Sequence, residues 1–132
     1  YPDPRISPPI TGYEEPHAAA LILRSCMWLK ASGKLSSPQL STVEAVGKRC
    51  FDYLELRWRE EAGDQMQYTW ANKSPLTGAN EYFGFWVFEI LSTLNYLLKY
   101  PSGVPTGVDT VRVREWITKH KLWLVNNVQY NL

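Results

Sequence analysis

The sequence predicts an all-α fold: a compact bundle of four or more helices around a central aromatic helix at about residues 80–100, with an extended Pro-rich N-terminal arm. Three observations carry that expectation. Apolar residues recur at three- and four-residue intervals in successive stretches, and capping residues, glycine or proline mark the ends of those stretches. The third stretch is apolar on nearly every side, as expected of a helix surrounded by others. A chain of 132 residues, 45% hydrophobic and 20% charged, suits one domain that buries most of its own core. The expected division is an arm over 1–16 and a single helical domain over 17–132.

The arm, YPDPRISPPITGYEEP, holds five of the nine prolines and little apolar periodicity. It ends at a helix start, because Pro16 fits a first helical turn, with Glu14 and Glu15 near the positive end of the helix dipole. The run HAAALILRSCMWLKAS then continues to Gly33, a natural terminator. Leu21, Ile22, Trp28 and Leu29 are its expected buried positions.

A second helix starts near residue 40, through Ser37 and Pro38 as cap and first-turn pair or through a capping box in Ser41–Glu44. Its apolar stripe is Val43, Val46, Cys50, Tyr53, Leu54 and Trp58, with Glu44–Lys48 and Glu55–Arg59 as four-residue ion pairs. It is expected to end near Gly63. GDQMQYTWANKSPLTGAN follows as a long loop with room for a short helical turn at Met66–Trp70.

The third helix, about Asn80 to Tyr100, is capped by Asn80 and stopped by Pro101. Glu89, Ser92, Thr93 and Asn95 inside it argue against a membrane span. Gly84, costly in a helix interior, suggests the close approach of another helix or a large ring. A fourth helix is capped by Asp109 or Thr110 and places Val113, Trp116, Ile117 and Leu124 on one side. The terminal VNNVQYNL reads equally as helix tail, turn or short strand.

Composition excludes more than it selects. Fourteen basic and thirteen acidic side chains give a net charge of +1, so no single-sign field attracts nucleic acid or a membrane surface. His17, His120 and the two cysteines show no close metal-ligand pair, and no Gly-rich phosphate loop is present, so neither metal nor cofactor is expected. Asn72–Ser74 matches a glycosylation acceptor but is followed by Pro75, and supports no assignment. Glu60, Glu61 and Asp64 read as a solvated acidic tip.

Cys26 and Cys50 sit in apolar helical patterns, where a thiol packs as a small hydrophobe. A hairpin turning near residue 35 sets Cys26 level with residue 44, roughly 9 Å along the axis from Cys50 at about 1.5 Å per residue. Disulfides prefer alpha-carbon separations below about 7 Å, so free thiols and a reducing, cytosolic setting are expected. The start at Tyr1 rather than Met suggests processing or a fragment, which keeps a secreted alternative open.

Glu89 is the chemically unusual residue, an acid within NEYFGFWVFEILSTLNYLLKYP. A buried carboxylate needs a cation, for which Arg57 and Arg59 on the second helix, Arg24 on the first and Arg112 or Arg114 on the fourth are candidates. With no second catalytic group in recognisable relation to it, a structural ion pair of Glu89, with Arg57 foremost, is expected, and no catalytic residue is assigned.

The helix carrying YFGFWVFE (Tyr82 to Glu89), preceded by FDYLELRWREEAGDQMQYTW (Phe51 to Trp70), resembles the C-terminal domain of the PoNe-immunity (PoNi) family of bacterial proteins. The likeness covers about the middle half of the chain. Here KYPSGVPTGVDTV follows the helix, where that family has an acidic turn and a tyrosine–proline-rich segment. The resemblance implies an all-helical, non-enzymatic cytosolic inhibitor that binds and occludes a cognate toxin. Tyr68, Trp70, Asn72 and Lys73 in the long loop are the expected partner-binding residues, and the expected partner is another protein. The alternatives are a secreted α-helical effector or toxin, and a structural subunit of a larger assembly such as a capsid.

Overall fold

The helix α1 (Glu15–Ala31) turns at Gly33 and returns as α2 (Ser37–Arg57), packed along it as an antiparallel hairpin. The computed structural model describes residues 15–61, 65–68 and 84–127. The arm to residue 14 lies outside them, and α1 begins at Glu15, so Pro16 takes its first-turn place. Gly33 ends the helix with a left-handed φ of +68°, its N–H reaching the Lys30 carbonyl at 3.3 Å. Only glycine adopts that conformation without strain.

α2 starts earlier than expected because a different capping box forms. Ser36 Oγ accepts from the Gln39 N–H at 3.4 Å, while Gln39 Oε1 accepts from the Ser36 N–H at 2.9 Å. Ser37 and Pro38 therefore lie inside the helix. At the other end α2 stops at Arg57, and two short strands follow: β1 (Trp58–Glu61) and β2 (Gln65–Tyr68), paired antiparallel with Trp58 opposite Tyr68 and Glu61 opposite Gln65. These strands replace the expected last turn of the second helix and the short helical turn near Met66. The backbone of β2 lies beside the fourth helix.

α3 (Gly84–Lys99) leads into a 3-10 turn at Pro101–Gly103, and α4 (Thr110–Asn127) closes the bundle. Residues 80–83, including the expected cap Asn80, lie outside the described set, as do 128–132. Asp109 caps α4, its Oδ1 accepting from the Val111 N–H at 2.9 Å. Among the described residues, four helices make an all-α bundle in which α3 packs between α1 and α4. Phe51 of α2 stacks on Trp116 of α4 at 5.4 Å between ring centres, which joins the two ends of that series.

The core is Leu23 and Met27 of α1, Phe51, Tyr53 and Leu54 of α2, Ile90, Leu94 and Leu97 of α3, and Val113, Trp116 and Ile117 of α4. α1 is approached at backbone distance from three directions. A Cβ built on Gly47 of α2 meets the Cys26 Cβ at 3.3 Å, and the buried Thr93 hydroxyl of α3 donates to the Ala20 carbonyl at 3.2 Å. Gly103 of the 3-10 turn presses on the Met27 backbone. Small residues on one face of α1, Ala19, Ala20 and Cys26, permit this crowding, and all three are buried.

That face is not the one expected. Leu21, Ile22, Trp28 and Leu29 are all exposed, Trp28 by 66%, because they line the opposite side of α1. On α2, Val46 is likewise exposed while Phe51 takes a core place. Among the described side chains of α3, Ile90, Thr93, Leu94 and Leu97 are buried, while Phe88 is 53% exposed. The picture of a helix surrounded on all sides is corrected accordingly.

Candidate functional site

Two polar arrangements tie helices to one another, and a third lies inside the core. Glu89 Oε2 pairs with Arg24 of α1 at 3.1 Å, and the same guanidinium donates to Ser92 Oγ at 3.0 Å. Arg24 was one of the candidate cations. The carboxylate is not buried: its side chain is 35% exposed and that of Arg24 31%. Glu89 follows the exposed Phe88 on the open side of α3, so water shares its solvation, and the cation described beside it is Arg24. Arg57 is the last residue of α2, and its side chain, like that of Arg59, lies outside the described set.

The second arrangement ties the α3–α4 connection to the hairpin. Lys30, in the last turn of α1, pairs with Glu44 of α2 and donates to the Val104 carbonyl at 2.7 Å. Glu44 also accepts from the Thr106 N–H at 3.0 Å and its hydroxyl at 3.3 Å. Partial desolvation would raise the Glu44 pKa, but Lys30 and the two Thr106 donors outweigh it and hold the carboxyl below its ordinary value. The expected Glu44–Lys48 pair therefore gives way: Lys48 pairs with Asp52, and Glu55 with Arg112 of α4 at 3.6 Å.

The third arrangement is the buried His120. Its Nδ1–H donates to the Trp116 carbonyl one helical turn back at 2.7 Å, and burial in the core pulls its pKa down to about 4 against that bond. It is a neutral core imidazole at physiological pH. Sequence reasoning counted it only as an isolated histidine. The spacing Val113, Trp116, Ile117, His120 is the signal that places it on the inner face.

Both thiols are free. Cys26 is buried and level with Gly47, nearer to Cys50 than the sequence estimate, which set it level with residue 44. Burial, followed by the influence of Cys26, pushes the Cys50 thiol up to about 11, and burial also raises Cys26. Neither is a poised nucleophile.

Of the expected partner-binding residues, Tyr68 ends β2, with its backbone held against Trp58; Trp70, Asn72 and Lys73 lie outside the described residues. A shallow open groove lined by Ser37, Leu40, Ser41, Glu44, Ala45 and Thr106 has a volume of about 550 Å³. Its one carboxylate is already engaged by Lys30. No helix among the described residues is long and apolar enough to cross a membrane, and no group of three or more His, Cys, Asp or Glu among them is placed to hold a metal ion. Comparison of the chain with protein-family models, with curated proteins and with solved structures finds no match.

Proposed function

We propose that this chain is a non-enzymatic protein-binding module, an immunity-like inhibitor that binds and occludes a cognate toxin in the cytosol of the cell that makes it. The observation that carries the reading is the β1–β2 hairpin. It sets Tyr68 at the end of a strand beside α4, and Trp70, Asn72 and Lys73 follow it in sequence; tyrosine and tryptophan are residue types that anchor protein interfaces. The resemblance of Tyr82–Glu89 and the preceding segment to PoNi-type immunity domains supports the same reading, and two free thiols suit a reducing compartment.

Among the described residues, three groups of the kinds that serve catalysis are engaged or buried. Glu89 holds Arg24, His120 is buried and neutral, and the Cys50 thiol is kept protonated. The test is co-expression with the products of neighbouring genes followed by pull-down and toxicity rescue. Retention of a toxic neighbour, weakened at least tenfold by Tyr68→Ala with Trp70→Ala, is expected. If no neighbouring product is retained and none is neutralised, the proposal fails.

A further inference from the structure

The outer face of α1 carries Ala18, Leu21, Ile22, Ser25, Trp28, Leu29 and Ser32, all exposed, and no described residue covers it. Their order along the helix is small, large, large, small, large, large, small, and it reads the same from either end about Ser25. A two-fold axis through Ser25, with two α1 helices antiparallel, sets Leu21 against Leu29 and Ile22 against Trp28 of the second copy, each contact made twice. Such self-complementarity is what an isologous interface requires. Small residues every seventh position, Ala18, Ser25 and Ser32, form a seam that lets two helices approach to about 8–10 Å.

The polar groups on this face are already satisfied within the chain. Ser25 Oγ donates to the Leu21 carbonyl at 3.0 Å and Ser32 Oγ to the Leu29 carbonyl at 2.6 Å. Arg24, at the edge, is drawn toward Glu89 and Ser92 of α3. The seam therefore desolvates without orphaning a hydroxyl or a charge.

We propose that this face is a homodimer interface, occupied by α1 of a second copy of the chain. The seven residues open roughly 550 Å² per copy, or ~1,100 Å² for the pair, at the lower edge of specific interfaces. Area alone does not set affinity, so the mass is read over concentrations on the order of 1–100 µM. The dimer is independent of the toxin partner proposed above, and its test needs no partner.

Sedimentation equilibrium of the full 15.2 kDa chain across and above that range reads the mass directly. A doubling of mass with concentration is expected, abolished by Ile22→Lys or Trp28→Glu alone, with the helical circular dichroism unchanged because both side chains are exposed. Mixing the Ile22→Lys and Trp28→Glu chains restores dimers, since the register pairs position 22 of one with 28 of the other. Mild oxidation of Ser25→Cys gives a covalent dimer through that residue. A monomer at every concentration, as when residues 1–14 cover the face within one chain, overturns the proposal. So does a dimer that both single variants leave intact.

Discussion

Replacing Gly103 by alanine adds one methyl group where there is no room for it. A Cβ there would stand 2.5 Å from the Met27 carbonyl oxygen, 3.0 Å from its carbon and 3.2 Å from its Cα. Carbon–oxygen contacts of this type settle at about 3.3–3.6 Å, so the 3-10 turn has to back away from α1 by about 0.8–1 Å. The obstructing atoms are helix backbone, which cannot rotate aside. The same retreat stretches the 2.7 Å bond from Lys30 to the Val104 carbonyl next to the turn. Overpacking costs about 1–3 kcal/mol, and with the strained Lys30 bond the expected loss is about 2–3 kcal/mol.

Urea unfolding followed by circular dichroism reads this as a midpoint lowered by about 0.7–3 M, given slopes of about 1–3 kcal/mol per M. Gly33→Ala is the internal control, with strain and no clash. Its φ is +68° but nothing lies within 4 Å of a new Cβ, so it should cost only about 1–2 kcal/mol, the penalty of a left-handed L-residue. A midpoint for Gly103→Ala within about 0.3 M of the parent, or a larger loss for Gly33→Ala, would refute the packing argument.

His120 ties stability to pH. Its folded pKa of about 4 lies below the ordinary value of 6.5, so the unfolded chain takes up the proton first and stability falls as pH drops from about 6.5 to 4, by up to about 3 kcal/mol. His120→Phe should flatten that part of the urea-midpoint profile, and an unchanged slope would remove the histidine as its source. Native Cys50, with its thiol near 11 against an ordinary 9.0, should react with iodoacetamide at pH 8 about a hundredfold more slowly than in urea; equal rates contradict the burial. A double-mutant cycle on Arg24→Met and Glu89→Gln should give a coupling below about 1 kcal/mol, because both side chains are about a third exposed. A coupling of several kcal/mol would mean a desolvated pair.

Much of the fold is legible where one residue has only one good use. Gly33 and Asp109 mark helix ends because a left-handed φ and an acceptor aimed at free N–H groups suit few alternatives. The start of α2 is harder, since three serines compete for the cap and Gln39, three residues after Ser36, decides among them. The buried face of α1 is not legible from hydrophobicity alone. Two stripes exist, and the larger side chains, Leu21, Ile22, Trp28 and Leu29, lose to Ala19, Ala20, Leu23 and Met27. Backbones come closest where side chains are small, and that is a property of the partners, Gly47, Thr93 and Gly103, rather than of α1 itself.

The β1–β2 hairpin escapes notice because Gln65–Tyr68 alternates polar and apolar over only four residues, too few to outweigh a loop reading. The ion-pair map fails for a related reason. Glu44 has Lys48 one turn away, yet it reaches across to Lys30, and Glu55 reaches across to Arg112 of α4. Spacing along one helix carries no information about what stands opposite. Of the candidate site, Glu89 was legible as a paired acid, whereas its exposure depends on neighbours the sequence does not order.

The latch of Lys30, Gly103 and Val104 also bears on the order in which the chain folds. Cys26 and Gly47 meet across a short turn, whereas Lys30 and Val104 are 74 residues apart in sequence, and Ala20 and Thr93 are 73. Closing a large loop before its contacts form is entropically slow. The α1–α2 hairpin is therefore the expected nucleus, with the latch engaging after the main barrier. Gly103→Ala should accelerate unfolding and leave the refolding rate nearly unchanged, a φ-value close to zero. Refolding slowed in proportion to the lost stability would instead put the latch inside the transition state.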